Sequence, residues 1–112
     1  MILVRPGRFE VFRDQNKQYR FRLRASNGLV LLSSTGYKTR KSALTGVESV
    51  RKNCTDAAHF QRQQTPSGYC FDLLAQNKKV IGTGEFYTSS RSRERGIASV
   101  QRHAPNAKIT EV

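Results

Sequence analysis

The sequence predicts an α+β fold of tandem β3-α-β repeats. They share one mainly antiparallel sheet with two helices on one face, and a pseudo-two-fold axis relates the halves. Three observations predict it. First, the chain matches itself at an offset of fifty residues: Tyr19, Phe21, Leu23, Ala25 and Asn27 meet Tyr69, Phe71, Leu73, Ala75 and Asn77, and GVESV at 46–50 meets GIASV at 96–100. Second, QYRFRLRA alternates strictly between apolar and basic residues, the period of a strand. Third, each copy continues into a stretch whose apolar residues fall in one helical stripe. At 112 residues the chain has the size of a single domain spanning 1–112, read as two repeats of about 7–57 and 58–112.

Each element follows in order. RFEVFR at 8–13 reads as a short strand, followed by a polar turn at DQNK. In the second strand Tyr19, Phe21 and Leu23 take one face, and Arg20, Arg22 and Arg24 the other. Asn27-Gly28 predicts a type I′ hairpin turn with both residues left-handed, and LVLLSS returns as the third strand. Thr39 is the expected N-cap of a helix carrying Ala43, Val47 and Val50 in one stripe, with Asn53 as C-cap. In the second copy Ser89 takes the cap, Ile97 and Val100 the stripe, and Pro105 the stop. Arg93 replaces Ala43 in the stripe and is expected to snorkel toward Glu94. Residues around Ala58–Gln63 and Lys108–Glu111 read as extended. Phe9 matches Phe60 once the second copy's first turn is taken one residue shorter. Gly46 and Gly96 inside the helices are explained by close backbone approach to a neighbouring element.

These residues resemble the YegP-like family of small, uncharacterised bacterial proteins. The resemblance rests on YRFRLRASNG and GYKTRKSALTGVESVRKN and covers roughly residues 7–112. The second copy departs from the pattern, with Cys70 and Asp72 in place of arginines, Lys78 in place of the turn glycine, and Phe86 before Tyr87. The resemblance implies tandem β3-α-β units whose terminal strands are exchanged, a covalently fused dimer in effect, and it implies no particular activity.

Composition narrows the function. Twenty Lys and Arg against eight acids give a formal charge of +12 and a pI near 10.6, which favours polyanionic partners such as nucleic acid or an acidic protein. No segment is apolar enough to span a bilayer, and MILVRPGRF lacks a signal-peptide core, so a cytoplasmic location without a membrane partner is expected. Cys54 and Cys70 are expected as free thiols, Cys54 serving as a small apolar filler. His59 and His103 lack triad partners, no phosphate loop, dinucleotide or zincin motif occurs, and C-x4-H is not a usual zinc spacing. The expectation is therefore a non-enzymatic protein with no catalytic residue, metal or cofactor.

The binding candidates are Arg20, Arg22 and Arg24 on an uncovered sheet face, with Phe12 on the same side as a stacking platform for single-stranded nucleic acid. Arg91, Arg95 and Arg102 share one face of the second helix as a further basic patch. Residues 1–56 carry +8 and residues 57–112 carry +4, an asymmetry that a symmetric binding surface does not require. The alternative is a protein-interaction module, its contact centred on an outward Leu74 and Ile81. The internal pseudo-dimer points to a monomer.

Overall fold

Alternating strands bury one face each, and the computed structural model, which describes residues 7–112, gathers those faces into one seven-stranded mixed sheet. The first repeat supplies β1 (Arg8–Arg13), β2 (Tyr19–Arg24), β3 (Val30–Ser33) and α1 (Arg40–Asn53). The second supplies β4 (Phe60–Thr65), β5 (Gly68–Leu74), β6 (Val80–Thr83), α2 (Ser90–His103) and β7 (Lys108–Glu111). The strand order is β4-β5-β6-β3-β2-β1-β7. The central β3–β6 pair is antiparallel and meets at Ser33 and Thr83, residues fifty apart, so the pseudo-two-fold axis passes through that pair. β7 lies parallel to β1, which is the expected exchange of a terminal strand. The expectation about the N-terminal residues MILVRP lies outside the described residues.

One hydrophobic core fills the space between the sheet and the two helices. Phe9, Val11, Phe21 and Leu23 meet Ala43, Val47 and Val50 of α1 there, while Phe60, Phe71 and Leu73 meet Ile97 and Val100 of α2. Each half builds the same aromatic row: Phe21 packs edge-on to Phe9 and stacks on Tyr37, as Phe71 does with Phe60 and Tyr87. Thr39 and Ser89 cap their helices by accepting from the amides of Ser42 and Ser92. The helical glycines make room as expected. A Cβ on Gly46 would lie 2.5 Å from the Tyr37 hydroxyl, and one on Gly96 would meet the Tyr87 hydroxyl. Cys54 is fully buried in the core.

Three local expectations are corrected. The β2–β3 turn is not type I′: Asn27 does not take a positive φ, and only Gly28 does, at 88°. The Gly28 amide donates to the Ala25 carbonyl and the Ala25 amide to Leu29, which makes a longer loop with a single left-handed residue at its end. Helix α1 runs through Asn53, whose side chain bonds back to the Ser49 carbonyl, and Cys54 forms the cap. Finally, Ile81 is buried in the core and does not face outward. The register slips between Leu73 and Leu74, so Leu73 pairs with Gly82 and Leu74 with Val80, leaving Ile81 free to turn inward.

Candidate nucleic-acid interface

The sheet face away from the helices is set by strand parity. Register pairs Arg8 with Arg24, Glu10 with Arg22, and Phe12 with Arg20, while Arg8 and Glu10 also sit beside Lys108 and Thr110 of β7. These side chains share the uncovered face, opposite Phe9, Val11, Phe21 and Leu23. The expected constellation of Arg20, Arg22, Arg24 and Phe12 is thus brought together on one side.

An acid that sequence patterning does not single out organises it. The Glu10 carboxylate accepts from Arg22 Nε and Arg24 Nε at 2.6 Å each and from Arg8 Nε at 3.2 Å. Asp14, in the β1–β2 turn, accepts from Arg20 Nε at 2.6 Å. Further bonds run from Arg24 Nη1 to the Gly28 carbonyl at 2.7 Å and from Arg20 Nη1 to that of Ser34 at 3.3 Å. Burial raises the Glu10 pKa, but the three arginine donors more than reverse this and hold it down at about 2. The Asp14 pKa is lowered by the Arg20 bond first and by the turn amides second.

Ion pairing does not hide the cations. The Glu10 side chain is 9% exposed, whereas Arg8, Arg22 and Arg24 are 35%, 31% and 26% exposed. Five cations (Arg8, Arg20, Arg22, Arg24 and Lys108) face two carboxylates (Glu10 and Asp14), so the cluster keeps a positive excess. The Arg22 guanidinium lies 4.5 Å over the Phe12 ring. One side of that ring is therefore already occupied, and the outward plane on offer is the guanidinium itself.

The second half of the same face is different. Cys70, Asp72 and Leu74 of β5 take the places of Arg20, Arg22 and Arg24, beside Gln61 and Gln63 of β4. The uncovered face is thus basic at one end and almost uncharged at the other. Arg91, Arg95 and Arg102 are exposed on α2, away from this face. Arg93 packs over Tyr69 and bonds Glu94 and the Gln63 carbonyl, as a snorkelling residue should. Among the described residues no group of three or more His, Cys, Asp or Glu is placed to hold a metal, and no helix is long and apolar enough to cross a membrane.

Comparison with known proteins agrees with this architecture. The model of a domain of unknown function, DUF1508, matches twice, at residues 14–60 and 67–111. A UPF0339 protein in the ptx operon 5′ region of Stutzerimonas stutzeri is 46% identical, with 95% of this chain and 96% of the relative covered. The UPF0339 protein YegP of Escherichia coli is 34% identical, covering 94% and 96% of the two chains. The solution NMR structure of E. coli yegP superposes with a TM-score of 0.90 at 32% identity, covering 98% of this chain and 96% of that one. That of a UPF0339 protein from Shewanella oneidensis gives 0.88 at 33%, covering 94% and 90%.

Proposed function

The chain belongs to the DUF1508 family, that of the UPF0339 proteins such as YegP, and on that premise we propose that it is a non-enzymatic basic binding module that takes single-stranded nucleic acid on its uncovered sheet face. The observation that supports this reading is the guanidinium array held by Glu10 and Asp14. Each of Arg20, Arg22 and Arg24 spends its Nε on a carboxylate, which fixes the plane of the group and leaves outer N–H donors for phosphate. The outer plane of Arg22, backed by Phe12, suits an unpaired base. Contacts to phosphate and base faces, without base edges, give little sequence preference.

The test is a fluorescence titration with labelled single-stranded RNA and DNA at low, middle and physiological salt. Replacing Arg20, Arg22 and Arg24 by glutamine is expected to flatten the salt slope by about 2, at roughly 0.7 per phosphate lost. Glu10→Gln should act the other way, tightening binding severalfold by removing the face's inner negative charge. Binding that is lost at physiological salt, or that ignores both changes, would reject the reading.

A further inference from the structure

The helix side of the molecule carries a pair of open grooves that the pseudo-two-fold axis relates. One lies between α2 and the β2–β3 turn, with a volume of about 410 Å³. Its mate, between α1 and the β5–β6 turn, has about 550 Å³. Each groove is therefore built by the helix of one repeat and the hairpin of the other. Their shared lining comes from duplicated positions: Tyr87, Gly96 and Ser99 in one, Tyr37, Gly46 and Ser49 in the other, each facing a hairpin asparagine, Asn27 or Asn77. Both volumes fall in the range of small-ligand sites, about 300–1,000 Å³.

The two grooves differ in charge and in their lip. Arg95 and Arg102 line the α2 groove two helical turns apart on one face, whereas Thr45 and Lys52 hold those places on α1. Neither arginine has a carboxylate partner among the described residues, unlike the arginines of the sheet face. On α1 an acid, Glu48, lies beside the mate groove; α2 has Ala98 at that position. Opposite the arginines, Leu29 is 65% exposed on the hairpin, and Leu31 and Ala25 continue an apolar wall inward. Lys79 replaces Leu29 in the mate. The Tyr87 hydroxyl rests over Gly96 with no hydrogen-bond partner among the described residues. Burial, with a smaller effect of Glu85, raises its pKa, so it is a donor at neutral pH.

We propose that the groove between α2 and the β2–β3 turn binds a small phosphate monoester with a flat apolar body. Arg95 and Arg102 hold the phosphate from two sides, and the body lies on the wall of Leu29, Leu31 and Ala25 with the Tyr87 hydroxyl donating to its polar edge. A dianion between two unpaired guanidinium groups satisfies both charges with multidentate bonds. The exposed Leu29 would lose its contact with water at the same time. The site is independent of the sheet-face reading, because it shares no residue with that face.

The test is an amide chemical-shift titration of the full chain with adenosine 5′-monophosphate as probe, beside adenosine and inorganic phosphate alone. The expected result is saturable binding, with shifts at Ala25, Leu31, Tyr87 and Gly96 and none in the mate groove. Adenosine and inorganic phosphate should each bind at least tenfold more weakly. The exposed-surface variant R95Q/R102Q should lose tenfold or more, and Leu29→Ser should weaken the monophosphate while leaving inorganic phosphate unchanged. The glutamine variant at Arg20, Arg22 and Arg24 should bind the monophosphate normally, which separates the two readings. Inorganic phosphate binding as tightly as the monophosphate, shifts spread over both grooves, no effect of R95Q/R102Q, or no saturation at millimolar probe would each overturn the proposal.

Discussion

Lys78 sits in the left-handed region with φ of 68°, at the position that Gly28 fills in the first repeat with φ of 88°. The hairpin bonds around it are the same in both copies, from the Ala75 amide to Lys79 and from the Lys78 amide to Ala75. The flanking strands therefore impose the conformation, and the backbone of a non-glycine residue is strained there. Lys78→Gly is expected to stabilise the protein by roughly 0.5–1 kcal/mol, and Gly28→Lys to cost a similar amount, measured as shifts in urea midpoint. The sequence marks this turn clearly, since Asn-Gly between two apolar runs has few other uses. It does not fix the turn type, because a two-residue loop and a longer loop ending in one left-handed residue both favour glycine at the last position.

Between elements, the cross-strand cluster on β1 and β2 ties stability to pH. Glu10 titrates near 4.5 ordinarily and at about 2 in the fold, so the unfolded chain takes up the proton first. Its contribution is present in full above about pH 4.5 and is lost as the pH falls through about 2. Asp14 and Glu94, whose pKa values are also lowered, add with the same sign. Denaturant midpoints should therefore drop between neutral pH and pH 2, and Glu10→Gln should lower the neutral midpoint while flattening some of that drop. A variant with an unchanged acid limb would show that Glu10 contributes nothing. Alternation along β2 is enough to place Arg20, Arg22 and Arg24 outward, and alternation along β1 to place Phe12 on the same side. It does not reveal Glu10, one acid in RFEVFR, because only the register between β1 and β2 brings Arg22 and Arg24 onto it, beside Arg8 of its own strand. Ile81 escapes parity for a related reason: counting faces assumes an unbroken ladder, and the slip at Leu73 and Leu74 breaks it.

Across the whole molecule the duplication is symmetric in backbone and asymmetric in side chains. Near the axis Leu32 is fully buried, and a Cβ on its counterpart Gly82 would lie 2.5 Å from the Leu32 methyl carbon. A leucine in both places collides, and a glycine in both leaves a hole, so one large and one small residue fit together only because the two copies share a chain and could diverge. Gly82→Leu and Leu32→Gly should each destabilise by on the order of 2–3 kcal/mol. The double exchange should recover much of the loss, with a coupling of about 2 kcal/mol in a double-mutant cycle. Additive losses would place the two side chains out of contact. The repeat itself, its strands and its helix stripes are legible because periodicity is local. The strand order is not, since β7 reaches β1 across the full chain. The grooves are invisible for the same reason, each joining the helix of one copy to the hairpin of the other.

That closing strand has a mechanical consequence. β7 runs parallel to β1, so tension applied at residues 7 and 112 drags the two strands along their lengths in opposite directions. The rungs from Arg8 through Val11 then share the load at once, where an antiparallel pair pulled from its open end would unzip rung by rung. Arg40 pairs with Glu111, and Arg51 donates to the Ala107 carbonyl just before β7, so α1 also holds the closing strand. Whatever pulls this chain at residues 7 and 112 must shear those four rungs together before the load reaches the strands inside.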